Sequence, residues 1–277
     1  MHDPVPAKVV AALRPVAGLA ALVLGGSRGR EAAGPASDYD FGLYHEPDAP
    51  LDVAALRAAI RPLVDDPAMT VTEFGAWGPW INGGGWLTSQ GVKIDLLYRD
   101  LGPVRAAIAE ARQGRFSMNY QTGHPHGFCS TIWMGEVATC RVLLDPCGHI
   151  AALKAATWPY PQPLADALIA RFGWEVGFAV DNGRLAAVRG EQTHVAGCAY
   201  RALCCAAQVL FALNHRYLIN EKGAVQEAAG FPVTITGLAE TQAAIWHDIG
   251  NADLWPALHR LRDLAEALRA LVERVGT

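Results

Sequence analysis

A short apolar run that ends in two glycines and a serine constrains the fold of this chain most. The run is Ala20–Leu24, and Gly25-Gly26-Ser27 follows it directly. A short apolar run closed by glycine is typical of a buried strand, and the serine favours the start of a helix. A second strand-like run, Asp38-Tyr39-Asp40-Phe41, begins eleven residues past Ser27. We therefore expect a strand, a tight turn, a short helix and a second strand.

The residues around this turn are of the types that bind a metal and a phosphate. Side chains two apart in a strand point to one face, so Asp38 and Asp40 should project together and share divalent cations. Gly25 and Gly26 let the backbone approach a ligand, while Ser27 and the N–H groups of a following helix suit a phosphate. The pattern predicts metal-assisted chemistry on a nucleoside triphosphate.

The spacing of these residues resembles a known signature. Gly26-Ser27, ten intervening residues and Asp38-x-Asp40 are similar to the motif of the DNA polymerase β-like nucleotidyltransferase superfamily, in the small-molecule branch that includes the aminoglycoside and lincosamide nucleotidyltransferases. That family carries a third carboxylate on a later strand, and Asp95 within Val92–Tyr98 fits it.

The resemblance implies a role for each of these residues. It implies two Mg²⁺ ions, ATP or another nucleoside triphosphate as co-substrate, and catalytic and metal-binding roles for Asp38, Asp40 and Asp95. It also implies that the nucleotide is bound by Gly25, Gly26, Ser27, Arg30 and, from the second half of the chain, Lys222. The sequence departs from the family at Glu31, which places a negative charge beside the expected phosphate site.

Composition bounds the class of protein. With 277 residues, of which 51% are hydrophobic, the chain can bury a sizeable core. A net charge of −4 argues against a general nucleic-acid binder. The six cysteines form no C-x-x-C pair, and no signal peptide or long unbroken apolar run is found. We expect reduced thiols and a cytoplasmic protein without a membrane partner.

Strand patterning ends after Arg141–Pro146, and the rest of the chain has the periodicity of helices. The fold class expected is therefore α+β, with a nucleotidyltransferase domain over residues 1–147 that has a mixed β-sheet and flanking helices. An all-helical bundle domain follows over residues 148–277. Its central helix should be Glu191–Tyr217, which is apolar nearly all round.

Smaller elements of the first half are also predicted. We expect helices over Pro6–Val16, over Val53–Val64 with Asp52 as its cap, and over Pro103–Arg112, a strand over Met69–Phe74, and an irregular segment over Gly114–Ile132.

Several residues keep two interpretations. The general base is Asp95 by one interpretation and Glu73, Glu136 or Glu175 by another. Lys222, with Arg216 in support, meets the triphosphate by the resemblance, but cations at a helix end also favour its dipole.

Two loops are similarly open. The three tryptophans of Trp77–Trp86 suit either the stacking of a base or sugar or a packed turn. His124 and His126 suit a metal site, ordinary loop histidines or a substrate contact.

The function expected is transfer of a nucleoside monophosphate, AMP from ATP in the first instance, to a hydroxyl of a small molecule such as an antibiotic. The alternatives are the same chemistry on a protein or tRNA partner and a nucleotide-binding protein without turnover. A tRNA reader should carry more than the 23 Lys and Arg found here. The sequence leaves the oligomeric state open, a homodimer included.

Overall fold

The structure, a computed structural model, describes residues 4–30, 34 and 37–276. It divides into two compact units, Met1–Glu110 with Ser117–Pro159 and Ala111–Phe116 with Tyr160–Thr277. The first unit holds the sheet and the second is helical, which confirms the expected α+β class. The chain passes from one unit to the other at Pro159 and Tyr160, and the sequence-based division after residue 147 remains a prediction.

Five strands of the described chain form one mixed sheet in the order β3-β4-β2-β1-β7. They are β1 (Ala21–Leu24), β2 (Tyr39–His45), β3 (Gly84–Ser89), β4 (Val92–Asp100) and β7 (Arg141–Leu144), and a separate two-stranded ribbon joins β5 (Met118–Asn119) to β6 (Phe128–Cys129). Strands β2 and β4 are parallel, whereas the other pairs in the sheet are antiparallel. The parallel pair is central to the candidate site.

Helices flank this sheet. They are α1 (Pro4–Leu13), α2 (Gly26–Gly29), α3 (Val53–Ile60), α4 (Leu101–Ala111), α5 (Thr131–Thr139) and α6 (His149–Ala156). Asp52 Oδ1 accepts the Ala55 N–H at 2.9 Å, which confirms the predicted cap of α3. Helix α5 lies partly in the segment that the sequence left irregular.

The alternation of residues along β2 and β4 separates two faces. Phe41 and Leu43 of β2 and Leu96 of β4 belong to the core shared with α1 and α3, in which Leu13 and Leu56 are fully buried. Full burial of one such side chain contributes about 1.5–3 kcal/mol. The residues between them, Asp40, Gly42 and Tyr44 on β2 and Asp95, Leu97 and Arg99 on β4, lie on the opposite face.

The predicted strand over Met69–Phe74 is wrong, because this segment forms no ladder. Its Thr72 instead exchanges two hydrogen bonds with Gly84, through the Thr72 N–H at 2.7 Å and the Thr72 hydroxyl at 3.1 Å. The sequence also placed Gly84 in a loop, but Gly84 begins β3. A Cβ at Gly84 would stand 1.7 Å from the Leu96 carbonyl oxygen, so only glycine allows this approach.

The second unit is built from α7 (Gln162–Ala187), α8 (Gln192–Leu213), α9 (Ala224–Ala229), α10 (Leu238–Gly250) and α11 (Leu254–Val275). Helix α8 is buried along most of its length, as expected of the bundle centre. It is also the one described helix that is long and apolar enough to cross a membrane, and 72% of its most apolar window is buried.

All six cysteines, each within the described ranges, are free. Burial raises the pKa of Cys204 to about 11 and that of Cys205 to about 12. These thiols are therefore protonated at neutral pH and serve as packing groups.

Candidate functional site

Asp40 and Asp95 lie side by side on the sheet. They are in-register partners of the parallel strands β2 and β4, and both are half-buried. Neighbouring strands are about 4.8 Å apart, and in-register residues point to the same face. The fold therefore brings together two carboxylates that are far apart in the sequence, on the face away from the α1 and α3 core.

The glycine turn lies directly against Asp40, one member of this pair. The Gly25 N–H donates to the Asp40 carbonyl at 2.7 Å, which continues the pairing of β1 with β2. Gly26 has φ of +57°, and a Cβ there would stand 1.8 Å from Asp40 Oδ2. The short helix that the sequence predicted after the glycine turn begins within it, at Gly26, so Ser27 lies in the first turn of α2. Glycine is required at position 26 by both the backbone conformation and the carboxylate.

Asp38 differs from its two predicted partners. Strand β2 begins at Tyr39, so Asp38 lies one residue outside it, and its side chain is exposed. In the ranges 4–30, 34 and 37–276, no group of three or more His, Cys, Asp or Glu side chains is placed to hold one metal ion. Asp38 as a third ligand therefore remains a prediction. Arg30 is exposed, and Glu31 lies outside the described residues.

Arg28 is a residue of this region that the sequence interpretation missed. Its guanidinium donates from Nε and Nη2 to the Ser37 carbonyl at 3.0 and 2.8 Å. The same group lies 3.8 Å from the centroid of the Tyr39 ring. Arg28 thus ties the glycine turn to the start of β2 and positions both ends of the connecting segment.

A pair of stacked tryptophans, Trp77 and Trp86, adjoins the carboxylates. Trp86 is the antiparallel in-register partner of Asp95, so both side chains lie on one face of the sheet. The two indoles stack at 4.4 Å between centroids with 13° between planes. Trp80, in contrast, packs against Phe128 and Trp133. The segment therefore has one packing tryptophan and a separate pair beside Asp95.

The three glutamates considered as general bases all pair with arginines. Glu136 Oε1 and Oε2 each accept from the buried Arg99 at 2.7 Å. Glu73, whose side chain is 69% exposed, pairs with Arg57 at 2.7 Å. Each of these two carboxylates is thus held by an arginine.

Glu175 lies in the helical unit between Arg171 and Arg201, with both distances 2.5 Å. Burial raises the pKa of Glu175, but the hydrogen bond and charge of Arg201, together with Arg171, outweigh this and leave its pKa lowered. A lowered pKa makes a weaker base. Glu175 also lines a groove of about 800 Å³ between α7 and α8.

The polar cluster after α8 has structural contacts. The Asn214 side-chain amide donates to the Leu210 and Val233 carbonyls at 2.7 and 2.8 Å and accepts from the Val233 N–H at 3.1 Å. Arg216 lies over the Phe231 ring at 4.6 Å. Lys222 is exposed, and its role toward the nucleotide remains a prediction.

The histidine loop is ordered by backbone turns and packing. The His124 N–H donates to the Gln121 carbonyl at 3.1 Å, and its ring meets Phe128 edge-on at 5.4 Å. His126 is buried. Neither histidine belongs to a metal-binding group of three within the described chain. These contacts favour the interpretation as loop histidines.

The carboxylate pair fits the ion that the resemblance implies. Mg²⁺ takes oxygen ligands and is usually held by one or two carboxylates together with substrate phosphates and water. Asp40 and Asp95 provide two such carboxylates from one face of the sheet, with an open glycine turn alongside. Both would be its protein ligands.

Comparison with known proteins gives a partial answer. A family model described as "Domain of unknown function (DUF4037)" matches residues 132–222, which is less than half of the chain. No curated protein matches. Among solved structures, the chain is similar to a nucleotidyltransferase-like protein from Exiguobacterium sibiricum 255-15, with 10% identity and a TM-score of 0.41, over 98% of this chain and 76% of that one.

Proposed function

We propose that this protein is a metal-dependent nucleotidyltransferase that moves a nucleoside monophosphate, AMP from ATP in the first instance, to a hydroxyl of a small molecule. The observation that carries the proposal is the in-register pairing of Asp40 with Asp95, together with the contact of Gly26 on the Asp40 carboxylate. Packing alone does not call for two half-buried carboxylates side by side on neighbouring strands, because like charges at that separation repel each other.

The role of each residue follows from its place on the sheet. A bound Mg²⁺ would neutralise phosphate charge and polarise the phosphorus that is attacked. The Ser27 hydroxyl and the backbone of the glycine turn bind the phosphates that leave. Asp40 and Asp95 hold the ion, and Asp95, which stands farther from the glycine turn, also accepts the proton of the acceptor hydroxyl.

The reaction balances without an added reagent. The acceptor oxygen forms a bond to the α-phosphorus, the bond between the α-phosphorus and its bridging oxygen to the β-phosphate breaks, and pyrophosphate leaves with that electron pair. The hydroxyl proton passes to the Asp95 carboxylate. Catalysis then rests on positioning and on charge stabilisation, as in other phosphoryl transfers.

A mass-spectrometric screen tests the proposal. The purified protein is incubated with Mg²⁺, each of the four nucleoside triphosphates and panels of aminoglycosides, lincosamides and other small alcohols. We expect one acceptor to gain the mass of a nucleoside monophosphate, and the Asp40→Asn variant to give no product. If a protein or RNA is nucleotidylated in place of a small molecule, the acceptor is a macromolecule. If no acceptor gains a nucleoside monophosphate, the proposal is overturned.

A further inference from the structure

The Trp77 and Trp86 pair offers a flat aromatic surface that the core does not use. Trp86 is 67% exposed although Trp77 stacks on it. A large aromatic side chain that remains this accessible forgoes most of the stabilisation of burial. Trp80, which is half-buried, is the tryptophan of the segment that packs on the buried Phe128 and Trp133. A ligand ring would recover the lost burial on the open part of Trp86.

The segment behind Trp77 is held in place from within the fold. The Gln121 side chain is 3% exposed and donates to the Trp77 carbonyl at 2.6 Å. Its oxygen accepts the Trp80 and Ile81 N–H groups at 3.3 and 3.2 Å. A buried amide with its hydrogen bonds satisfied fixes the backbone on which it acts. The backbone of Trp77 is therefore held in place, and its ring is a fixed support for Trp86.

The position of Trp86 indicates which ligand would use it. The row across the sheet runs from Trp86 to Asp95, then to Asp40, and ends at Gly25. Phosphates at the glycine turn leave toward one end of this row. Attacking and leaving oxygens are roughly in line in phosphoryl transfer, so the attacking hydroxyl arrives from the other end. The group beside Asp95 at that end is the indole of Trp86.

We propose that Trp86, supported by Trp77, is the residue on which the ring of a cyclic acceptor packs. This inference rests on the proposed function. The C–H face of a saturated ring packs on the negative face of the indole, and a hydroxyl at the ring edge then reaches the Asp95 carboxylate. Nucleotide binding is left to the glycine turn and the carboxylates.

The test measures binding without turnover. Methyl α-D-glucopyranoside, myo-inositol and adenosine serve as probes in saturation-transfer NMR, with irradiation of the protein methyl protons, where none of the probes resonates, and with neither Mg²⁺ nor triphosphate present. The variants are Trp86→Ala, Trp86→Phe and Trp77→Ala. Trp174→Ala is the matched control, because Trp174 is also an exposed tryptophan, 63% accessible and stacked on Phe178, in the helical unit.

We expect saturation of at least one cyclic alcohol in the wild type, and a loss of about fivefold or more in Trp86→Ala. Trp86→Phe should retain most of the signal, Trp77→Ala should weaken it, and Trp174→Ala should match the wild type. No signal from either alcohol in the wild type, or an unchanged signal in a folded Trp86→Ala, overturns the inference. If Trp86→Ala loses the adenosine signal alone, the inference is also overturned, and Trp86 is assigned to binding the nucleobase. The result of this binding test is independent of the transfer screen, because the NMR signal requires binding but no reaction.

Discussion

Gly26 and Asp40 are in such close contact that a side-chain carbon on Gly26 would stand 1.8 Å from Asp40 Oδ2. A larger residue at position 26 would therefore displace the Asp40 carboxylate. This contact explains the glycine at position 26, which makes room for the carboxylate, while the Gly25 N–H continues the hydrogen bonding of β1 to β2.

The first prediction concerns Gly26→Ala. The added methyl must displace the Asp40 carboxylate, so we expect turnover to fall at least about tenfold and stability to fall by about 1 kcal/mol from the positive φ. Gly75→Ala is the matched control, because Gly75 has φ of +79° with nothing near its Cβ position. It should lose similar stability and keep its turnover. Equal turnover in both variants would show that the contact has no functional role.

The second prediction separates Glu136 and Glu73 from catalysis. Glu136→Leu removes the carboxylate that accepts two hydrogen bonds from the buried Arg99 guanidinium. The free energy of unfolding, measured in urea, should therefore fall by about 3–5 kcal/mol. The double variant Arg99→Leu with Glu136→Leu should regain most of this. Glu73→Leu breaks an exposed pair with Arg57 and should cost about 0–1 kcal/mol with turnover retained. A turnover loss of a hundredfold in Glu73→Leu would instead make Glu73 a base.

The third prediction concerns pH. Because the pKa of Glu175 is lowered in the folded state, its ion pairs stabilise the protein above the unfolded pKa, and this contribution disappears as the pH falls through the folded pKa. Glu175→Gln should lower the free energy of unfolding at pH 7 by about 1–3 kcal/mol. The loss is moderated by Arg171, which is 45% exposed. The difference from the wild type should close as the pH is lowered below about 4.

A matched control for that series is Glu191→Gln. Glu191 also pairs with an arginine, Arg189, but both side chains are largely exposed. The free energy of unfolding of the Glu191→Gln variant should equal that of the wild type at every pH. If the Glu175 and Glu191 variants behave alike, the arginine pair around Glu175 does not stabilise the helical unit.

The fourth prediction concerns Lys222. If Lys222 binds the triphosphate, as the family resemblance implies, Lys222→Ala should raise the nucleotide dissociation constant about tenfold without lowering the melting temperature. Arg269→Ala removes another exposed cation of the helical unit and is the control. Calorimetry with a non-hydrolysable ATP analogue and Mg²⁺ measures both. Equal dissociation constants would leave Lys222 as a helix-end charge.

Local patterns predicted much of the fold. The strands around Leu22, Phe41 and Asp95, the cap at Asp52 and the long apolar helix α8 each follow from residues close in sequence. Strand β3 was missed because Gly84 has a poor strand propensity and is required only by its approach to Leu96. The Met69–Phe74 error has the opposite cause: the segment is rich in β-forming residues, but it meets β3 through the Thr72 N–H and the Gly84 carbonyl without forming a ladder.

The sequence assigned Asp38, Asp40 and Asp95 to one candidate metal site but did not give their positions relative to one another. The register of Asp40 with Asp95 depends on hydrogen bonds between strands distant in the chain, and Asp38 lies outside β2. Trp86 could have been placed beside Asp95 only if the β3–β4 hairpin had been recognised around Gln90 and Gly91. The alternation of Lys93 and Asp95 with the apolar Ile94 and Leu96 was the available signal for that face.

The most direct test of the proposed function is a kinetic comparison of Asp40→Asn, Asp95→Asn and the double variant, by Mg²⁺-dependent transfer of labelled nucleoside monophosphate to the acceptor found in the screen. Because the two carboxylates act on one reacting centre, each single variant should lose at least about a hundredfold in turnover, and the double variant should lose little more than the worse single one. All three should unfold cooperatively. Turnover within tenfold of the wild type in either folded single variant would contradict a catalytic role for this pair.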